Sequence, residues 1–155
     1  MVRCAVITVS DTRGEADDTS GARIKALLAE AGHQVARYAI VKDEPDQIRT
    51  QLRDLPSDVQ VVIINGGTGM ARRDTTFEAV QSVFEKTIDG FGELFRMLSF
   101  QEVGAAAMFS RATAGVYHNT LIFSMPGSPN AVQVALEKLI IPEINHLAWE
   151  ISRKA

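Results

Sequence analysis

The sequence predicts an α/β domain of three layers, α/β/α, on a mostly parallel sheet with a small β-hairpin. Three observations predict it. Apolar patterning switches repeatedly between strand and helix along the chain. Val59 to Ile64 is a largely β-branched run, the signature of a central strand covered on both faces. Finally, the 155 residues are 46% hydrophobic and 23% charged, which suits one core and a single domain over residues 1–155.

The elements follow in order. Arg3 to Val9 reads as a buried strand. Asp18-Thr19-Ser20-Gly21 offers helix caps, Ile24, Leu27, Leu28 and Ala31 supply an apolar stripe, and Gly32 a stop. Val35 to Val41 is a second strand. Pro45 suits a first helical turn behind a cap from Asp43 or Glu44, with Ile48, Leu52 and Leu55 facing inward. After the Val59–Ile64 strand comes a glycine-rich loop, Asn65 to Gly69, and then Thr75 with Glu78 as a capping box. Phe91, Leu94, Phe95 and Leu98 form a further stripe, and Glu102 to Ser110 a short helix. Val116-Tyr117 and Thr120 to Ser124 make strands around a His118-Asn119 turn. Met125 to Pro129 is a loop, and from Val132 a C-terminal helix begins that Pro142 restarts.

Charge and cysteine content remove several function classes. Sixteen Lys and Arg against 19 Asp and Glu leave a net charge of -3, so no nucleic-acid partner is expected. Cys4 is the sole cysteine, which excludes an internal disulfide, and its apolar setting predicts a buried thiol. The run from Cys4 to Val9 is too short for an export signal, and Glu137, Lys138 and Glu143 interrupt the C-terminal apolar stretch. A cytoplasmic protein with no membrane partner is therefore expected.

Sheets of this class bind ligands beyond the carboxyl ends of their strands. Four polar clusters follow predicted strands: Ser10-Asp11, Lys42-Asp43, the loop from Gly66, and Pro126-Gly127-Ser128. The topology gathers them on one rim. Glycines let backbone N–H groups approach phosphate oxygens, although a tight strand-to-helix turn needs glycine as well. The spacing Gly66-Gly67-Thr68-Gly69 is neither a dinucleotide fingerprint nor a Walker A loop, which disfavours a dinucleotide oxidoreductase. Arg72 and Arg73 suit phosphate charge, and Asp43 and Asp74 suit Mg²⁺ or, alternatively, helix caps. Glu93 and Arg96, three apart on a helix, also read as a surface ion pair. Ser110-Arg111 reads from its spacing as a polar helix end. His33, His118 and His146 have no metal-ligand spacing and read as surface or structural residues.

Taken together, these segments resemble the MoaB/MogA family of molybdenum-cofactor biosynthesis proteins. The resemblance is carried by Thr8 to Asp11, Asp18 to Gly21, Gly66 to Gly69 and Arg73 to Ala79. It continues through Gly90 to Arg96, Ser110 to Gly115 and Met125 to Ala131, nearly end to end. The stretch from Phe91 to Phe100 is similar to the MoaB branch, and Phe77 departs from a common proline. The resemblance implies Mg-ATP-dependent transfer of AMP to the terminal phosphate of molybdopterin, releasing pyrophosphate. It assigns Asp43 and Asp74 to catalysis and Mg²⁺, and Gly66, Gly67, Thr68, Gly69, Pro126, Gly127 and Ser128 to the ATP nucleotide. Molybdopterin falls to Ser10, Asp11, Glu93, Arg96, Ser110 and Arg111. It also implies a homo-oligomer, a hexamer ahead of a trimer, and other molybdenum-cofactor biosynthesis proteins as partners. The alternative it carries is a non-catalytic molybdopterin-binding or assembly protein.

Overall fold

A computed structural model of the chain describes residues 1–153. In chain order it holds β1 (Arg3–Val9), α1 (Thr19–Glu30), β2 (Gln34–Val41), α2 (Pro45–Arg53), β3 (Val61–Asn65), α3 (Thr76–Gln81) and β4 (Lys86–Thr87). Next come α4 (Asp89–Val103), β5 (Thr113–Tyr117), β6 (Thr120–Met125), α5 (Pro129–Val134) and α6 (Ile141–Ser152). The six strands form one sheet in the order β2-β1-β3-β6-β5-β4. β2, β1, β3 and β6 are parallel, while β5 pairs antiparallel with both β6 and β4. β5 and β6 are the expected hairpin, turned at His118 with φ 53°.

Successive strand side chains point to opposite faces, and this alternation divides the interior in two. Cys4, Val6, Val61 and Ile63 join Ile24 and Leu28 of α1, Phe91 and Phe95 of α4, and Ile144 of α6. Ala5, Ile7, Val62 and Ile64 meet Ile48 and Leu52 of α2 and Ala79 and Val80 of α3. Those are the three layers. Ile7 and Ile63 are fully buried, and truncating either to Ala would cost about 2–5 kcal/mol. Cys4 is buried as expected, its thiol pushed up to about 12 by desolvation. No helix among the described residues is long and apolar enough to cross a membrane.

Tertiary contacts move several expected boundaries. Leu94 of the predicted α4 stripe is exposed, as is Ala31 just beyond α1. α4 runs on to Val103, and a 3₁₀ turn over Gly104–Phe109 replaces the short helix expected from Glu102. β4 lacks a strand pattern of its own; it exists because Lys86 and Thr87 pair with Val116 and Gly115. β6 includes Met125, and α5 already begins at Pro129 behind a Ser128 cap, so the loop expected from Met125 to Pro129 shrinks to Pro126, Gly127 and Ser128. A π turn over Ala135–Ile140 precedes Pro142, which sits in the first turn of α6.

The strand order places the ligand rim. From β1 the chain goes out to β2 and returns across to β3, so the direction of winding reverses between β1 and β3. The carboxyl ends of β2, β1, β3 and β6 carry Lys42-Asp43, Ser10-Asp11, the loop from Gly66 and the loop from Pro126.

Candidate functional site

The glycine loop lies at that reversal. Gly66 has φ +101°, and a Cβ there would stand 2.2 Å from the Val9 carbonyl oxygen at the end of β1. Only glycine satisfies both conditions. Gly67 has φ +69°, and its Cβ would meet Thr76 Oγ1 at 2.2 Å and Asp43 Oδ2 at 2.7 Å. Thr76 draws the loop onto α3: its hydroxyl donates to the Gly66 carbonyl at 2.9 Å and its N–H to the Gly67 carbonyl at 3.1 Å. Thr68 is buried, and its carbonyl accepts the Arg111 N–H at 2.9 Å.

Both predicted acids border this loop. Asp43 is only 6% exposed, and its Oδ1 accepts the Thr75 N–H at 2.9 Å and the Thr75 hydroxyl at 2.7 Å. That leaves Oδ2 beside Gly67. Asp43 does not cap α2, whose N-cap residue is Glu44 without a side-chain bond. Asp74 Oδ2 accepts the Ala71 N–H at 3.0 Å and would lie 2.9 Å from a Cβ on Gly69. The predicted capping box does not form. Asp43 takes the Thr75 hydroxyl, and Glu78 pairs with Arg111 instead.

Arg73 ties three of the strand-end segments together. Its Nε and Nη2 donate to the two oxygens of Asp11 at 3.1 and 2.9 Å, and Nη1 to Glu44 at 2.7 Å. Asp11 Oδ1 also accepts the Asp43 N–H at 3.1 Å. The hydrogen bonds from Arg73 hold the Asp11 carboxyl below its usual range, and the Asp11 and Glu44 carboxylates raise Arg73 in turn. Arg111 is equally committed: Nε to the Gly69 carbonyl at 3.0 Å, Nη2 to the Asp74 carbonyl at 2.7 Å, and Nη1 to Glu78. Arg111 lowers the Glu78 carboxyl through that bond.

Ser110 and the Pro126–Ser128 loop share a cavity of about 210 Å³, bordered also by Phe95, Val103 and Ala107. Arg96 reaches this side, donating from Nη1 to the Ser110 and Ala112 carbonyls at 3.2 and 3.0 Å. It thus turns away from Glu93, which stays exposed, so the expected ion pair is replaced by backbone contacts. Ser10 Oγ accepts the Thr12 and Arg13 N–H groups at 3.3 and 3.0 Å and shapes the loop after β1.

Two sets of contacts are not legible in the sequence, although Thr8, Asp18 and Ser20 themselves lie in the segments singled out there, and Asp18 caps α1 as expected. Arg13 Nη1 and Ser20 Oγ both donate to the Gly127 carbonyl, at 3.1 and 2.7 Å. Beneath them Asn65 Nδ2 donates to Thr8 Oγ1 at 2.9 Å, whose proton goes to Asp18 Oδ2 at 2.6 Å; Tyr38 donates to the same oxygen at 2.5 Å. Burial, reinforced by the Asp18 carboxylate, raises the Tyr38 phenol. Asn65 and Thr8 are fully buried polar residues at the ends of apolar strands, and that placement was the available signal.

Among the described residues, no three His, Cys, Asp or Glu side chains gather into a metal cage. The donor set beside the glycine loop is two carboxylates, hard oxygen ligands of the kind that hold Mg²⁺ jointly with substrate phosphates.

The family described as a probable molybdopterin binding domain matches residues 5–146. The chain is 52% identical over 156 residues to molybdenum cofactor biosynthesis protein B of Bacillus subtilis (strain 168), covering 99% of this chain and 92% of that protein. A crystal structure of a molybdenum cofactor biosynthesis protein B superposes with a TM-score of 0.95 at 49% identity, covering 99% of this chain and 97% of that one. The tungsten cofactor synthesizing protein MoaB from Pyrococcus furiosus gives 0.89 at 38% identity, with 98% of each chain covered. Sequence and backbone agree over nearly the whole length, and the chain belongs to the MoaB/MogA family, the molybdopterin-binding proteins of molybdenum cofactor biosynthesis.

Proposed function

We propose that the protein transfers AMP from ATP to the terminal phosphate of molybdopterin, with Mg²⁺ as cofactor. The observation that carries this reading is the pair of carboxylates on the glycine loop, Asp43 Oδ2 at Gly67 and Asp74 Oδ2 at Gly69. A pterin phosphate oxygen attacks the α-phosphorus of ATP; that O–P bond forms, the bond to the β-phosphate oxygen breaks, and pyrophosphate leaves. A phosphate monoester is already largely ionised at pH 7, so the reaction needs charge neutralisation and alignment more than a base. Asp43 and Asp74 would hold the metal. When bound there, Mg²⁺ supplies positive charge shared among phosphate oxygens.

The chain's own groups do the positioning. Backbone N–H groups of Gly67, Thr68 and Gly69 receive phosphate oxygens, Gly66 lends the turn while its own N–H is held by the Met125 carbonyl, and Pro126, Gly127 and Ser128 border the nucleotide. Ser110, on the cavity wall, binds the pterin phosphate; Ser10, Glu93 and Arg96 lie outside that wall and would meet the same substrate only beyond it. Asp11 and Arg111 act mainly by holding Arg73, Asp74 and the loop in place.

Incubation with molybdopterin, ATP and Mg²⁺ should yield adenylylated pterin and pyrophosphate. Pterin binding without pyrophosphate release would establish the second reading, a molybdopterin-binding or assembly protein. One observation favours that alternative: Arg73 and Arg111 direct their charge at protein acceptors. The proposal includes self-association into a hexamer, with a trimer as the next form. Leu94, Met97, Phe100 and Val103 of α4, with Met108 and Phe109 beyond it, are exposed apolar side chains suited to burial between copies. A monomeric mass by light scattering at micromolar concentration would overturn this part.

A further inference from the structure

Four of the arginines on or beside the rim are used in two ways, while Arg72 is exposed and has no protein partner among the described residues. Arg73 and Arg111 each commit Nε, Nη1 and Nη2 to protein acceptors, and each forms an ion pair. Arg13 and Arg96 commit Nη1 alone, to neutral oxygens. Among the described residues neither has a carboxylate partner within ion-pair distance. Arg96 is already counted among the residues for molybdopterin. Arg13 has no assigned role.

Its setting gives it one. Arg13 is half-buried, and Nη1 is fixed by Ser20 Oγ at 2.8 Å and the Gly127 carbonyl at 3.1 Å. Ser10 Oγ fixes its backbone N–H at 3.0 Å. Among the described residues the Nε–Nη2 edge has no protein partner, and that edge presents two parallel donors matched to a carboxylate or phosphate. Arg73 grips Asp11 by the same edge within this molecule. Gly127 in turn abuts the glycine loop, since a Cβ on it would lie 3.3 Å from the Gly66 Cα. A partly desolvated cation whose hydrogen-bond partners are all neutral, anchored one loop away from a phosphate cradle, is a site for an anion.

We propose that Arg13 is an anion-binding residue, taking two oxygens of a substrate phosphate on its Nε–Nη2 edge while Nη1 stays on Gly127. The identity of the substrates rests on the adenylyl-transfer reading; the anion chemistry does not. The phosphate belongs either to the ATP triphosphate or to molybdopterin, and the experiment separates the two.

Arg13→Gln and Arg13→Lys are titrated calorimetrically with ATP, with inorganic pyrophosphate and with molybdopterin, each alone and at two salt concentrations. Arg13→Gln should weaken one class of ligand about tenfold or more and flatten its salt dependence. Lys restores charge without the fork, so Arg13→Lys should recover only part of the affinity. Losses on ATP and pyrophosphate identify the nucleotide, and a loss on molybdopterin alone identifies the pterin phosphate. Wild-type affinity for all three ligands in Arg13→Gln overturns the proposal. So does a lowered thermal midpoint with an unchanged salt slope, the mark of a residue that only pins Gly127. If Arg13→Gln does not fold, Arg13→Lys carries the same comparison. Pyrophosphate release by the wild type is measured in parallel: weakened binding in the variant with no release in the wild type keeps Arg13 and removes the transferase reading. Normal binding in the variant alongside wild-type turnover removes Arg13 only.

Discussion

The glycine-loop half of the rim and the Pro126–Ser128 half rise from the same parallel strands, yet they use their charges differently. Around the glycine loop, Arg73 is closed by Asp11 and Glu44, Arg111 by Glu78, and Asp43 by Thr75. Around Gly127 and Ser110, Arg13 and Arg96 rest on carbonyls and a hydroxyl and keep donors uncommitted. A closed network sets geometry before any ligand arrives, which is what alignment for in-line transfer requires. An open one leaves charge uncancelled where an anion is to be bound. A preset geometry around the ATP phosphates and uncancelled charge for an anion thus fall to different halves, and each half can be tested for the role it has been given.

The largest effect should come from breaking the closed half at its tightest point. Gly66→Val forces a side chain into φ +101° and against the Val9 carbonyl, a loss of about 3 kcal/mol or more by urea denaturation. Gly69 differs: it has no positive φ, and its Cβ would meet only the Asp74 carboxylate, at 2.9 Å. Gly69→Ala should therefore keep a near-native thermal midpoint while ATP affinity falls about tenfold. The resemblance assigns Gly67 and Gly69 alike to the nucleotide, but Gly67 at φ +69° against Thr76 is a folding position as well. Native stability in Gly66→Val would show that the loop is not held by its closed contacts.

Next in size are the variants that separate the halves by function. Asp43→Asn and Asp74→Asn should each lower adenylyl transfer about 10²-fold or more while molybdopterin affinity stays near wild type. In Asp43→Asn the side-chain amide oxygen can still accept from both groups of Thr75, so the loop's geometry is kept and the charge is removed. Ser110→Ala should do the reverse, weakening molybdopterin about tenfold before ATP binding changes. Measured turnover and pterin affinity on the three variants decide the matter. Wild-type turnover in both Asn variants would refute the magnesium assignment and favour the binding protein.

What the sequence disclosed follows the same division. The β-branched run of β3 and the apolar run of β1 announced the parallel centre, because burial on both faces leaves no other pattern. The rim clusters were legible since each directly follows a strand end. β4 was not, because two exposed residues become a strand only through pairing with β5. The capping box at Thr75 and Glu78 failed for a related reason: a local rule lost to Asp43 and Arg111, each more than 30 residues from the group it takes. Arg13 could not be singled out either. Its meaning comes from the Gly127 carbonyl, 114 residues further on.

The smallest effect tests the lock between Asp11 and Arg73. Arg73's hydrogen bonds lower the Asp11 carboxyl, so the folded state favours its ionised form. The resulting stability is fully present above the ordinary carboxylate value of about 3.9 and is lost as pH falls through the lower folded value. Thermal midpoints of wild type and Asp11→Asn should therefore differ at neutral pH, and the difference should shrink toward about pH 3. Because the two side chains are 37% and 58% exposed, the gap stays small and narrows in high salt. The same variant reaches past stability. The Asn amide keeps one acceptor oxygen but loses the charge and the second acceptor, so Arg73 holds Glu44 and at most one bond to residue 11, and its Nε–Nη2 edge is partly opened. If closure is what keeps that arginine from phosphate, Asp11→Asn should bind ATP about two- to fivefold more tightly while folding slightly less well. A loss of molybdopterin affinity instead would mean that Asp11 touches the pterin itself, and the closed half would no longer be closed.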